Sequence, residues 1–195
     1  MRAAFKKGQR VVVKYGVVQV FNAIGHYGRG GRIHSRKDWR RGWYEVVDLV
    51  RSLTAQERMA PGYQRDPDWA VRDVVAHLGT WLAEAQVQFE RISAGTYEGH
   101  DLDIDALNAT FLAAMADQPW DVAWVQANAG RTRMVQEWFL LDRPTDEAAW
   151  WIRKTGSEHY AEHLGRLHEW VAELIEERTS RPSASPRDNA AEGDG

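Results

Sequence analysis

Between residues 71 and 92 the apolar side chains Val71, Val74, Val75, Leu78, Trp81, Leu82, Ala85, Phe89 and Ile92 recur at steps of three and four, and the run stops before Gly95. Only an α-helix gathers positions spaced in this way onto one face. A stripe of that width must be covered by another apolar face. Three further stretches have the same character. Residues 36–54 carry Trp39, Trp43, Val46, Val47 and Val50, residues 122–141 read as a third main helix, and residues 156–177 carry Tyr160, Leu164, Leu167, Val171, Leu174 and Ile175. Four amphipathic helices without strand alternation predict an all-α fold, an antiparallel four-helix bundle. Pro61, Gly62 and Pro67 break the chain after the first helix, and the RPTDEAAWW stretch reads as a connector before the last. The longest connector lies between helices two and three and contains a short helix over residues 105–115, which makes it a crossover.

The remaining composition narrows the chemistry. The 195 residues include no Cys, so a thiolate nucleophile, a disulfide framework and Cys-ligated zinc or iron-sulfur sites are excluded. A formal charge of -3 offers no chain-wide attraction for polyanions, and the expectation is a small-molecule substrate with no nucleic-acid partner. No apolar run approaches the ~18 residues that span a bilayer, so no membrane partner is expected and the cytoplasm is the expected location. Residues 1–34 form a basic, Gly-containing leader with three readings: a disordered extension, a small hairpin, or an arm for nucleic acid or membrane. The bundle then occupies residues 35–178, and the polar tail 179–195 reads as disordered.

Within the last helix, SEHYAEHLGRLHEW holds three histidines. His159 and His163 are four apart, hence one turn apart on one face, and the same path continues through Leu167, Trp170 and Leu174 toward the core. His168 falls on a flank. His77 borders the helix-two stripe, so three neutral imidazoles from two helices, plus water, would suit a first-row divalent cation such as zinc or nickel. The alternative is ordinary helix-flank histidines with local hydrogen bonds. The pattern is not HExxH, because Tyr160, Ala161 and Glu162 lie between the pair, and Glu162 is as readily a surface partner of Arg166.

Two segments together carry a family resemblance. WAVRDVVAHLGTW over residues 69–81 resembles the W-S/T-V-x-D-x-x-x-H-L signature of the DinB-like superfamily, which includes the N-terminal domains of mycothiol-dependent maleylpyruvate isomerases. GSEHYAEHLGRLHEW over residues 156–170 resembles its last-helix HxxxH element, and LTAQERMAPG its usual linker after helix one. The resemblance spans residues 36–178. It implies that His77, His159 and His163 are the metal ligands. One departure is Ala70, where Ser or Thr is usual. Ala has no side-chain oxygen to cap the helix, a loss of ~1 kcal/mol, and Asp68 is expected to cap one register earlier.

The resemblance further implies a metal-dependent transferase or isomerase in which a low-molecular-weight thiol attacks a small electrophile. The Trp- and Arg-rich composition favours mycothiol over bacillithiol. Asn108, in DALNATF, and Arg131 are the candidate cofactor-binding residues, with Trp81, Asn128 and Trp138 as further pocket-wall candidates. The alternatives are a helix-surface amide for Asn108 and a solubilising charge for Arg131. Two other functions are consistent with the same residues: metal-assisted hydrolysis, and a non-enzymatic, stress-related metal-binding bundle, with a homodimer as one form of assembly.

Overall fold

The computed structural model describes residues 10–14, 17–21, 38–65, 68–99 and 101–181. The chain divides into two units, residues 1–33 and 34–195. In the first, strands β1 (Arg10–Lys14) and β2 (Val17–Phe21) pair antiparallel, Arg10 opposite Phe21 and Lys14 opposite Val17. The tail expected to be disordered from residue 179 starts later than that, because the last helix runs to Ser180, and its residues from 182 lie outside the described residues, as does the rest of the leader.

The second unit is mostly helical. Its long helices are α1 (Asp38–Arg51), α3 (Val71–Ala94), α5 (Trp120–Leu140) and α7 (His159–Ser180), joined through the shorter α2 (Ala55–Arg58), α4 (Ile104–Met115) and α6 (Asp146–Ile152). A two-residue pair of strands, β3 (Gln64–Arg65) and β4 (Asp68–Trp69), precedes α3. Helix α3 packs most extensively on α5, and α1 packs on α7. Val46, Val50, Val74, Leu78, Leu82, Phe89, Met134, Trp151, Tyr160 and Leu167 form one continuous core. Each such side chain taken out of water contributes ~1.5–3 kcal/mol before the entropy of ordering is set against it.

The α3–α5 contact depends on small residues. The buried face of α5 is Ala123, Ala127, Gly130, Met134 and Trp138, spaced by threes and fours. A methyl group placed on Gly79 of α3 would lie 2.6 Å from the Ala127 Cα, and one on Gly130 would lie 2.9 Å from the Gly79 carbonyl oxygen. The backbones therefore approach too closely for a larger side chain at either glycine.

Three local signals explain the helix ends. At Thr54 a capping box closes α2: the Thr54 hydroxyl accepts from Glu57 N at 3.2 Å and the Glu57 carboxylate accepts from Thr54 N at 2.7 Å. Helix α3 ends at Gly95, whose φ of 69° suits a residue without Cβ. At its start, Ala70 makes no side-chain cap, and Asp68 lies in β4 rather than capping the helix as expected. Asp73 compensates from inside the helix, accepting from Ala70 N at 2.8 Å.

The sequence reading of RPTDEAAWW as a connector is corrected: it contains α6. Thr145 caps that helix by accepting from Ala148 N at 3.2 Å, and Asp146 and Glu147 complement the helix dipole in its first turn. A π-helical segment, Arg153–Glu158, then runs directly into α7. Its buried Thr155 donates to the Trp151 carbonyl at 2.9 Å. A π turn takes one residue more than an α turn, so this segment sets the rotational phase in which His159 begins α7.

Candidate metal centre

His77 lies in the second turn of α3, while His159 opens α7 and His163 follows one turn later. One nitrogen from each ring falls within 4.8 Å of the other two. The ring centroids are 4.7 Å apart for His77 and His159, 5.1 Å for His77 and His163, and 5.0 Å for His159 and His163. The Nε2 atoms of His77 and His159 are 2.9 Å apart, so in the metal-free protein one donates its N–H to the lone pair of the other.

Burial keeps the cluster uncharged. It lowers His77 from the ordinary 6.5 to about 4, with the His163 charge adding to the effect. His159 is lowered by burial to about 2, with His77 and His163 adding. His163 is lowered by burial as well. Neutral imidazoles carry the lone pairs that a cation needs, and three of them suit a first-row divalent ion without thiolate or carboxylate.

Aromatic rings wall the cluster. The Trp69 ring centroid is 5.1 Å from that of His77 and 6.3 Å from that of His163. Trp81 meets His159 edge-on at 6.3 Å and Phe111 of α4 edge-on at 5.4 Å. Beside His77 lies a cavity of about 10 Å³ lined by Trp69, Asp73, Ala76, Phe111, Leu112 and Met115. That is the space of roughly one water molecule. Asp73, the carboxylate on its wall, is held by Arg72 at 2.6 Å as well as by Ala70 N. The Trp69 indole N–H is buried and has no hydrogen-bond partner among the described residues.

The loop before α3 supplies a residue that sequence reasoning did not single out. Tyr63 is buried, and its hydroxyl lies 3.0 Å from His163 Nδ1 and 3.3 Å from the His163 carbonyl oxygen. Burial pushes the Tyr63 phenol up to about 12, against a smaller opposing effect from Arg166. Arg166 is not paired to Glu162. Its Nε donates to the Tyr63 carbonyl at 2.8 Å, Nη2 donates to the Gly62 carbonyl at 3.1 Å, and Nη1 meets Glu173 at 2.7 Å. His168 lies on the flank and meets Glu45 at 2.8 Å. A tyrosine in the Pro- and Gly-bounded loop directly before the helix carrying His77 was the available signal for Tyr63.

The other candidates are elsewhere or already engaged. Asn108 accepts from Trp81 Nε1 through its Oδ1 at 2.9 Å, one residue removed from His159. The Arg131 guanidinium lies 5.8 Å from the centroids of both Trp43 and Tyr44, and Tyr160 is a further neighbour. Asn128 donates to the Trp124 carbonyl at 2.8 Å, and Trp138 packs on Phe89 with ring centroids 5.7 Å apart. Of this group, Trp81 contacts the histidines and Asn108 reaches them through Trp81.

No protein-family model and no curated protein matches this chain. Two solved structures share the fold. An uncharacterised protein from Escherichia coli UTI89 has a TM-score of 0.57 at 15% identity, over 71% of this chain and 91% of that one. The colibactin self-resistance protein ClbS, in complex with a dsDNA, has a TM-score of 0.56 at 15% identity, over 69% of this chain and 91% of that one. The ClbS complex overturns the exclusion of nucleic acid. Net charge was its ground, and net charge averages over faces, whereas a duplex meets only one of them. Among the described residues no helix is long and apolar enough to cross a membrane.

Proposed function

We propose that this chain is a DinB-like four-helix bundle, with α4 in the crossover, that holds a divalent cation on His77, His159 and His163. The observation that carries this reading is the convergence of three neutral imidazole nitrogens within 4.8 Å from two separate helices. A zinc or nickel ion there would act as a Lewis acid, lowering the proton affinity of the ligand it holds and favouring thiolate over thiol. The protein's part is to keep all three rings neutral by burial, to fix them on rigid helices and to exclude bulk water with Trp69, Trp81 and Phe111.

The first functional reading is a transferase or isomerase in which a mycothiol-like thiol attacks a small electrophile. Resemblance of residues 69–81 and 156–170 to the superfamily supports it, and the absence of Cys means that the sulfur comes from outside the chain. The test is metal-dependent consumption of thiol with maleylpyruvate and a panel of electrophiles, together with its dependence on His163. A second reading, metal-assisted hydrolysis, is favoured by the water-sized cavity beside His77. Turnover without added thiol selects it. Duplex DNA belongs among the ligands assayed.

A further inference from the structure

We infer that Tyr63 is the positioning residue for His163, holding its imidazole in the tautomer that carries the proton on Nδ1 and leaves the Nε2 lone pair for a ligand. This rests on the reading of the three histidines as a metal centre. Tyr63 has one hydroxyl proton and two neighbours on the same residue, Nδ1 at 3.0 Å and the carbonyl oxygen at 3.3 Å. A carbonyl oxygen can only accept. When the phenol donates there, its oxygen is left to accept, and Nδ1 satisfies it only as N–H. Both contacts are then made with a single proton arrangement, and the ring is held both in tautomer and in rotation. Metal-bound histidines are oriented in this general way by a partner on the second ring nitrogen.

The rest of the loop is built to keep that hydroxyl in place. Arg166, one helical turn beyond His163 by way of Leu164 and Gly165, clamps the Tyr63 and Gly62 carbonyls at 2.8 and 3.1 Å. On the other side, Gly62 N and Tyr63 N both donate to the Trp69 carbonyl, at 3.1 and 2.8 Å. The Tyr63 and Trp69 rings stack with centroids 6.5 Å apart, and Trp69 is the ring that covers His77 and His163. Gly62 has φ of 123°, and a methyl group there would lie 2.6 Å from the Trp170 ring. One loop thus sets a hydroxyl on the Nδ1 of His163 and an indole against its ring. Both its backbone carbonyls are tied to the helix that bears the histidine.

The test uses the full chain, Tyr63→Phe and Zn²⁺ alone. Long-range ¹H–¹⁵N spectra of the metal-free, unaltered protein are expected to show His163 protonated at Nδ1. In Tyr63→Phe, with circular dichroism unchanged, the same signals shift toward a mixture of tautomers, and Zn²⁺ affinity falls by about 10- to 100-fold. A ring found protonated at Nε2 in the unaltered protein overturns the assignment even should the variant fail to fold. Equal Zn²⁺ affinity in the two proteins overturns the role of Tyr63 while leaving the metal centre standing. Failure of the unaltered protein to bind Zn²⁺ overturns both.

Discussion

His77 and His159 place their Nε2 atoms 2.9 Å apart across 82 positions of sequence. Two desolvated imidazoles in such contact share one Nε2 proton; a divalent cation would take its place once the donor ring carries its proton on Nδ1, and would give both Nε2 lone pairs a stronger common partner. Metal binding should therefore stabilise the native state. At free metal 100-fold above Kd the gain is about 2.7 kcal/mol, which for a chain of this size corresponds to roughly 5–10 °C in Tm. Thermal melts with and without Zn²⁺ check this, and His163→Ala should abolish the shift.

The same burial makes metal-free stability depend on pH. A folded pKa below the unfolded value means that the unfolded chain binds more protons, so stability is fully present above about pH 6.5 and is lost as pH falls through the folded values. For His77, lowered to about 4, the loss between these limits is on the order of 3 kcal/mol. Urea denaturation midpoints measured from pH 7.5 down to 4.5 should fall steadily. A His77→Gln variant should show a shallower decline.

The close approach of α3 and α5 predicts a packing defect from one methyl group. In Gly79→Ala the new Cβ would sit 2.6 Å from the Ala127 Cα, and backbone cannot rotate aside as a side chain can. The expected cost is ~1–3 kcal/mol, read from the denaturation midpoint. Gly165→Ala, where nothing lies within 4 Å of the added carbon, is the control and should be neutral or slightly stabilising.

What could be read from the sequence follows from how local each signal is. The stripe of α3 and its stop at Gly95 were legible, because periodicity and a left-handed cap are properties of a few neighbouring residues. That the three histidines converge was legible through helical phase and family resemblance. Helix α6 was overlooked although Thr145, Asp146 and Glu147 spell a helix start, since the Trp pair that follows has no long stripe behind it. The face of α5 was obscure for a different reason: its core positions are Ala123, Ala127 and Gly130, and small residues do not register as an apolar stripe. The loop's Pro and Gly mark the place of Tyr63, but its pairing with His163 and the clamp from Arg166 depend on contacts 100 and 103 positions away, which no local pattern encodes.

Asn108 couples α4 to the centre through Trp81. Asn108→Ala leaves the Trp81 indole N–H without its acceptor, a cost of ~1–3 kcal/mol for a desolvated donor. Because α4 buries only Met115 fully, the effect should appear first as faster amide hydrogen exchange over residues 104–115, with Zn²⁺ affinity retained. Unchanged exchange there would mean that the hydrogen bond does not hold α4 in place.

The central claim is that His77, His159 and His163 form one cation site. It is tested most directly by the metal content of protein reconstituted with Zn²⁺ or Ni²⁺ and freed of excess ion. One ion per chain is expected in the unaltered protein and none in His77→Ala/His159→Ala. Protein that retains no ion, or a double variant that retains a full equivalent, would contradict it.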